Sequence, residues 1–95
     1  MISDGFYDAY IGEQHVLTKE IKRGQGKNYY PCNVVVPFGD FIVKEEEGKL
    51  KFDYKYFPFY DLLQPMEGVE NAYRGEMYVY GKKWFDFALY CIERE

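Results

Sequence analysis

A strict alternation of apolar and charged residues marks the middle of the chain. Its apolar members are Leu50, Phe52, Tyr54 and Tyr56, and its charged members are Lys51, Asp53 and Lys55. A period of two is typical of a strand with one buried and one solvated face. Residues 40–44 predict a second strand, and the polar, glycine-containing segment 46–49 predicts a hairpin turn between them. We therefore expect these two strands to pair antiparallel, with Phe52 and Tyr54 on the buried face and Lys51 in solvent.

A second hairpin is predicted near the C-terminus. Residues 73–80 and 84–92 are rich in aromatic and branched side chains, and Gly81-Lys82 between them suits a two-residue turn. Only Asp86 is charged in the last segment, so we expect that strand to be covered on both faces. Trp84, its first residue, is accordingly predicted to be largely buried.

The remaining segments give weaker patterns. Residues 6–11 and 29–36 predict two further strands, the second with an irregular start at its proline. The segment 13–23 fits either a strand or a helix, and we favour a strand because its neighbours are strands. Residues 61–63 suit a single helical turn, and 66–71 show no periodic pattern, as in a loop.

These elements predict a mainly β, antiparallel small barrel or roll of six to seven short strands. The alternative is an α+β fold with a helix at 13–23 packed on an antiparallel sheet. The 95 residues correspond to a single domain, 1–95. Folding would hide about 65% of the surface of such a chain, so a core can form without metal or disulfides.

Composition and charge limit the classes of molecule that the protein is expected to bind. The net charge of −4 argues against double-stranded nucleic acid, whose phosphates require a basic surface. The longest aliphatic run is 34–36, which predicts no membrane span, and the N-terminus lacks the pattern of a signal peptide, which predicts a cytoplasmic protein. Cys32 and Cys91 are therefore expected to be reduced, buried thiols.

No motif for catalysis, for a cofactor or for a metal is convincing. A zinc site needs four Cys or His ligands, and the chain has three in all. An enzyme remains the alternative, with a Cys32–His15 pair or two carboxylates in a barrel mouth. The carboxylates considered are Asp40, Asp53, Asp61 and Asp86.

Aromatic content is the feature that points to function. The chain has 11 Tyr, 8 Phe and 1 Trp, more than a core of this size is expected to absorb. We predict a non-catalytic binding module, such as an accessory or inhibitor protein, that holds a protein partner or a small apolar or planar ligand. Homo-oligomerisation through the aromatic surface is a further alternative. The candidate binding residues are Tyr54, Tyr56, Phe59, Tyr60, Tyr78 and Tyr80, and the last four are expected to form one patch or pocket rim.

Overall fold

Eight antiparallel strands form a closed barrel in a computed structural model that describes residues 2–92. Each strand pairs with the next, and the last pairs with the first. In chain order they are β1 (Gly5–Ile11), β2 (Gln14–Lys22), β3 (Gln25–Tyr29), β4 (Phe41–Glu46), β5 (Lys49–Tyr54), β6 (Phe59–Pro65), β7 (Ala72–Val79) and β8 (Lys82–Ile92). The predicted antiparallel barrel is confirmed, with eight strands instead of six or seven. Within residues 2–92, no helix has the length and apolarity of a membrane span.

Alternate side chains of each strand fill the barrel interior. The predicted β4–β5 hairpin is confirmed: Phe52 is fully buried, and Lys51 and Asp53 lie on the outer face. β5 ends at Tyr54, two residues earlier than predicted, before the connection that contains Pro58. The largest fully buried apolar side chains, which form the core, are Tyr7, Phe41, Phe52, Ile21, Leu63 and Leu89.

Two strand glycines make room for aromatic rings inside the barrel. A Cβ atom at Gly26 would lie 2.0 Å from the Phe41 ring, and one at Gly75 would lie 2.2 Å from the Phe87 ring. Each ring therefore covers the bare backbone of a neighbouring strand. An eight-stranded barrel is just wide enough for side chains to fill it, so these glycines let large rings fit.

The β4–β5 and β7–β8 hairpin turns have positive φ at both central positions, which is the type I′ geometry that matches strand twist. In the β7–β8 turn, φ is 51° at Tyr80 and 76° at Gly81. The predicted turn Gly81-Lys82 is thus wrong by one residue, because the glycine takes the second central position. The β4–β5 turn has the same form, with φ of 52° at Glu47 and 77° at Gly48.

The expectation for Trp84 and β8 is wrong. Trp84 is 68% exposed, because a register shift after Met77 places it on the outer face between two ladder pairs. Asp86 and Tyr90 are exposed on the same face. Among the described residues, β8 is buried on its inner face only.

The favoured strand at 13–23 is confirmed, because the segment contains β2, and the helical alternative is wrong. Three other expectations from the sequence are corrected. Residues 30–40 form a loop, because the predicted strand at 29–36 keeps only one bridge, Tyr29 to Val35. Residues 61–63 lie in β6, with no helical turn. Cys32 is exposed, and neither it nor Cys91, which is half-buried, forms a disulfide.

Candidate functional site

One end of the barrel, called the upper end below, carries the β1–β2, β3–β4, β5–β6 and β7–β8 connections, because consecutive strands run in opposite directions. The two longest of these are 30–40 and 55–58. Phe38, which is 63% exposed, contacts Tyr56 and Phe57 with ring centroids 5.6 and 6.4 Å apart. Phe57 stacks on Phe59 at 5.0 Å. Aromatic rings from two loops and one strand therefore meet at the upper end.

A cavity of about 200 Å³ lies beneath these rings, inside the barrel. Its walls are apolar and come from β1, β2, β6, β7, β8 and both loops. Leu17, Val36, Phe57, Phe59, Met77 and Phe85 are representative wall residues. Four polar side chains also line the cavity, and we call this set, Lys19, Asn28, Tyr54 and Asp61, the polar floor.

Hydrogen bonds join all members of the polar floor. Lys19 Nζ donates to Asn28 Oδ1 and to the Tyr54 hydroxyl, both at 2.8 Å, and lies 3.5 Å from Asp61 Oδ2. The Tyr54 hydroxyl donates to the same carboxylate oxygen at 3.2 Å. The side chains of Lys19 and Asp61 are only 4% and 2% exposed. The floor is thus a buried ion pair bridged by a phenol and an amide.

Asn28 connects the polar floor to the loop at 30–40. Its Nδ2 atom donates to the Gly39 carbonyl at 2.7 Å and to the Tyr54 hydroxyl at 3.3 Å. β3 pairs with β4 through only two residue pairs, at Gln25 and Gly26. The upper part of β3 therefore bonds to the loop instead, and the Val36 amide donates to the Asn28 carbonyl at 2.8 Å.

Aromatic rings surround the ammonium group of Lys19. Its Nζ atom lies 5.2 Å from the Phe41 ring centroid, 5.4 Å from that of Tyr54 and 5.9 Å from that of Phe87. Such contacts stabilise a cation most strongly when water is excluded. The negative ring faces therefore add to the attraction of Asp61.

Burial and charge shift the protonation of the polar floor. Burial lowers the pKa of Lys19, but the interactions with Tyr54 and Asp61 outweigh this effect and raise that pKa above its ordinary value. Burial raises the pKa of the Tyr54 phenol. Burial also raises the pKa of Asp61, against the attraction of Lys19 and the hydrogen bonds it accepts. Lys19 is therefore a cation at neutral pH, unlike nucleophilic lysines, whose pKa is lowered.

Four of the six sequence-predicted binding residues lie at the upper end. Tyr54 belongs to the polar floor, and Phe59 belongs to the cavity wall. Tyr56 is exposed beside Phe38, and Tyr80 is 79% exposed in the β7–β8 turn. The structure brings Tyr54 and Phe59 together, with a centroid distance of 6.3 Å.

The other two predicted residues, Tyr60 and Tyr78, lie on the outer face of the barrel. They face each other across β6 and β7 and stack with centroids 4.9 Å apart and planes 7° apart. Lys51 Nζ lies 4.7 Å from the Tyr60 ring. Strand alternation separates this pair from Phe59, which points inward next to Tyr60 in the chain.

Sequence reasoning missed Lys19 and Asn28 as site residues. Lys19 stands between Leu17 and Ile21 on one face of β2, and that face points into the barrel. A charged residue within an apolar strand face is a usable signal, since buried lysines are rare unless paired. Asn28 carries no such signal, because the predicted strand, 29–36, begins one residue after it, whereas β3 spans Gln25–Tyr29.

The residues considered for catalysis do not share a site. The His15 ring contacts Asp8 at 3.2 Å and Thr18 at 3.1 Å, and Cys32 is not among its partners. Within residues 2–92, no three His, Cys, Asp or Glu side chains converge as metal ligands would.

Three of the four considered carboxylates, Asp53, Asp61 and Asp86, are likewise apart. Asp53 pairs with Lys44 at 2.9 Å and Asp86 pairs with Lys83 at 2.8 Å, both on the outer face. Asp61 alone of these three lies inside the barrel, where its charged partner is a lysine and not a second carboxylate.

Comparison of the chain with protein-family models, with curated proteins and with solved structures gave no match.

Proposed function

We propose that this protein is a non-catalytic binding module that holds a small molecule in the cavity at the upper end of the barrel. The observation that carries the proposal is an apolar cavity that ends on buried, hydrogen-bonded polar side chains. Small-molecule sites are typically concave and mostly apolar, with a few placed polar groups that fix orientation.

The size of the cavity limits the ligand. Its volume of about 200 Å³ is below the range of roughly 300–1,000 Å³ that is usual for drug-sized ligands. An engineered apolar cavity of about 150 Å³ binds benzene in another protein. The ligand is therefore small, on the scale of one or two rings.

The energetics of the polar floor support a binding role. Removing two charges from water costs several kcal/mol per ion, and an apolar pair of similar volume is often at least as stable. The Lys19–Asp61 pair is therefore a poor device for stability alone. Its position at the cavity is what a ligand-orienting group requires.

The test compares two variants in which phenylalanine replaces an alanine, one on the inner face of the barrel and one on the outer face. Ala9 points into the cavity and is 3% exposed, whereas Ala88 points outward from the neighbouring strand β8. Ala9→Phe fills the cavity, and Ala88→Phe is its matched control. Ligand-observed NMR with a library of molecules of one or two rings should detect binding to the wild type and to Ala88→Phe, and none to Ala9→Phe. The proposal fails if no molecule binds, or if Ala9→Phe binds the same molecules equally well.

A further inference from the structure

We propose that the ligand is an uncharged, flat aromatic molecule of one or two rings that donates an O–H or N–H hydrogen bond to Asp61. This inference rests on the proposed function, because it names the chemical class that the same cavity accepts. Three features of the cavity carry it: its charge balance, its unused hydrogen-bonding capacity and the shape of its walls.

Charge balance excludes an ionised ligand. The ammonium of Lys19 and the carboxylate of Asp61 lie 3.5 Å apart, so the polar floor has no net charge. An anion or a cation would therefore enter a site of low polarity without a free counter-charge, and isolated buried charges are strongly unfavourable. A neutral molecule avoids this cost.

The free hydrogen-bonding capacity of the polar floor determines whether the ligand must donate or accept a hydrogen bond. The three N–H groups of Lys19 face Asn28, Tyr54 and Asp61, and the Tyr54 hydroxyl already donates to Asp61. The donors of these two side chains are thus used within the floor. A carboxylate has about four acceptor positions. Among the described residues, Asp61 accepts only from Tyr54 and Lys19, and both contacts are to Oδ2. The spare capacity is therefore that of an acceptor, and it matches a donor on the ligand.

The walls favour flat rings. Phe57 and Phe59 stack with an interplanar angle of 15°, and Phe85 meets Phe87 edge-to-face at 6.3 Å in another part of the wall, on β8. Ligand rings can continue both arrangements, which are the preferred geometries of aromatic pairs. At the packing density of protein interiors, about 0.74, the ligand atoms can fill about 150 Å³ of the cavity.

A matched naphthalene series tests the class. The probes are 2-naphthol, which donates, 2-methoxynaphthalene, which only accepts, naphthalene itself, and 2-naphthoate, which is an anion. Dissociation constants are measured by isothermal titration calorimetry at pH 7. We expect 2-naphthol to bind about tenfold more tightly than naphthalene and 2-methoxynaphthalene, the effect of one hydrogen bond to a charged acceptor. We expect 2-naphthoate to bind at least about tenfold more weakly than 2-naphthol.

Asp61→Asn tests the effect of charge, because it gives the polar floor a net positive charge. It keeps the size of the side chain and leaves Lys19 without a counter-charge, so 2-naphthoate should become the preferred probe. Ala88→Phe, on the outer face, should keep the wild-type order. If Asp61→Asn does not fold, the order of the four probes on the wild type decides alone.

The outcomes separate the two proposals. Tightest binding by 2-naphthoate or by 2-methoxynaphthalene overturns the ligand class and leaves the binding cavity in place. The class is also overturned if library molecules bind in the cavity and none of the naphthalenes does. Absence of any binder, in the library and in the series, overturns the binding function itself.

Discussion

Replacing Lys19 with methionine should destabilise the barrel by about 3–4 kcal/mol at pH 7, and by much less at pH 4. The structure supplies the reason, because the side chains of Lys19 and Asp61 are 4% and 2% exposed and lie 3.5 Å apart. Coulomb attraction across that distance is about 5 kcal/mol at an effective dielectric constant of 20. Methionine has a similar length and keeps the ring contacts while it removes the charge.

Protonation of Asp61 limits the loss. Without its cation, the buried carboxyl takes up a proton, at a cost of about 1.4 kcal/mol per pH unit above its unfolded pKa of about 3.9. The ceiling at pH 7 is therefore about 4 kcal/mol. Burial raises the pKa of Asp61 in the folded state. At pH values between the unfolded and the folded pKa of Asp61, the folded variant therefore binds more protons than the unfolded chain. Its stability is retained below about pH 4 and is lost as the pH rises.

Urea unfolding at pH 4, 5.5 and 7, followed by circular dichroism, measures the effect. The double variant Lys19→Met/Asp61→Leu removes both charges and should recover the wild-type stability or exceed it by about 1–4 kcal/mol. A single-variant loss below about 1 kcal/mol would refute the reasoning, as that is the scale of an exposed ion pair. A loss that does not depend on pH, or a double variant as unstable as the single one, would also refute it.

Three further predictions follow from the barrel. Gly75→Ala should cost about 1–3 kcal/mol or more, because its Cβ would lie 2.2 Å from the Phe87 ring; an unchanged urea midpoint would contradict this. Trp84→Ala should change stability by no more than about 0.5 kcal/mol, and Phe87→Ala, on the inner face of the same strand, should cost about 3–5 kcal/mol in the same assay. Burial raises the pKa of Tyr54, so stability should fall above about pH 10, where the unfolded phenol loses its proton and the folded one keeps it. In Tyr54→Phe this fall should be shallower by up to about 1.4 kcal/mol per pH unit, and an identical slope would count against the burial effect.

Local pattern was enough to predict the β4–β5 hairpin, because its alternation coincides with one buried and one solvated face. It was not enough for residues 30–40. Val34, Val35 and Val36 have high β-propensity, yet the loop bends at Asn33 and Phe38, where φ is 64° and 59°. Nothing in the local sequence indicates that bonds to Asn28 and β3 replace a strand ladder there, because those bonds depend on barrel closure.

The prediction that β8 is covered on both faces was wrong for a different reason. Its inward positions hold Phe85 and Phe87, and its outward positions begin with Trp84, so both faces look apolar in the sequence. In the barrel, one face is sufficient to build the core, and tyrosine and tryptophan remain exposed on the other. Aromatic residues on both faces hid the alternation that the charged residues revealed in β5.

The cavity exists because the inner side chains are unequal in size along the barrel. Phe41 and Phe87 fill part of the interior by lying over glycines. At the cavity, β1 contributes only Ala9, opposite Leu17 on β2, and the space remains open. A larger residue at Ala9 would add apolar contacts, and filling a cavity commonly gains about 0.5–2 kcal/mol. The open space and the buried ion pair beside it both reduce stability, and they lie next to each other in the barrel. The proposed ligand site would account for that coincidence, because it requires room for the rings and oriented polar groups next to them.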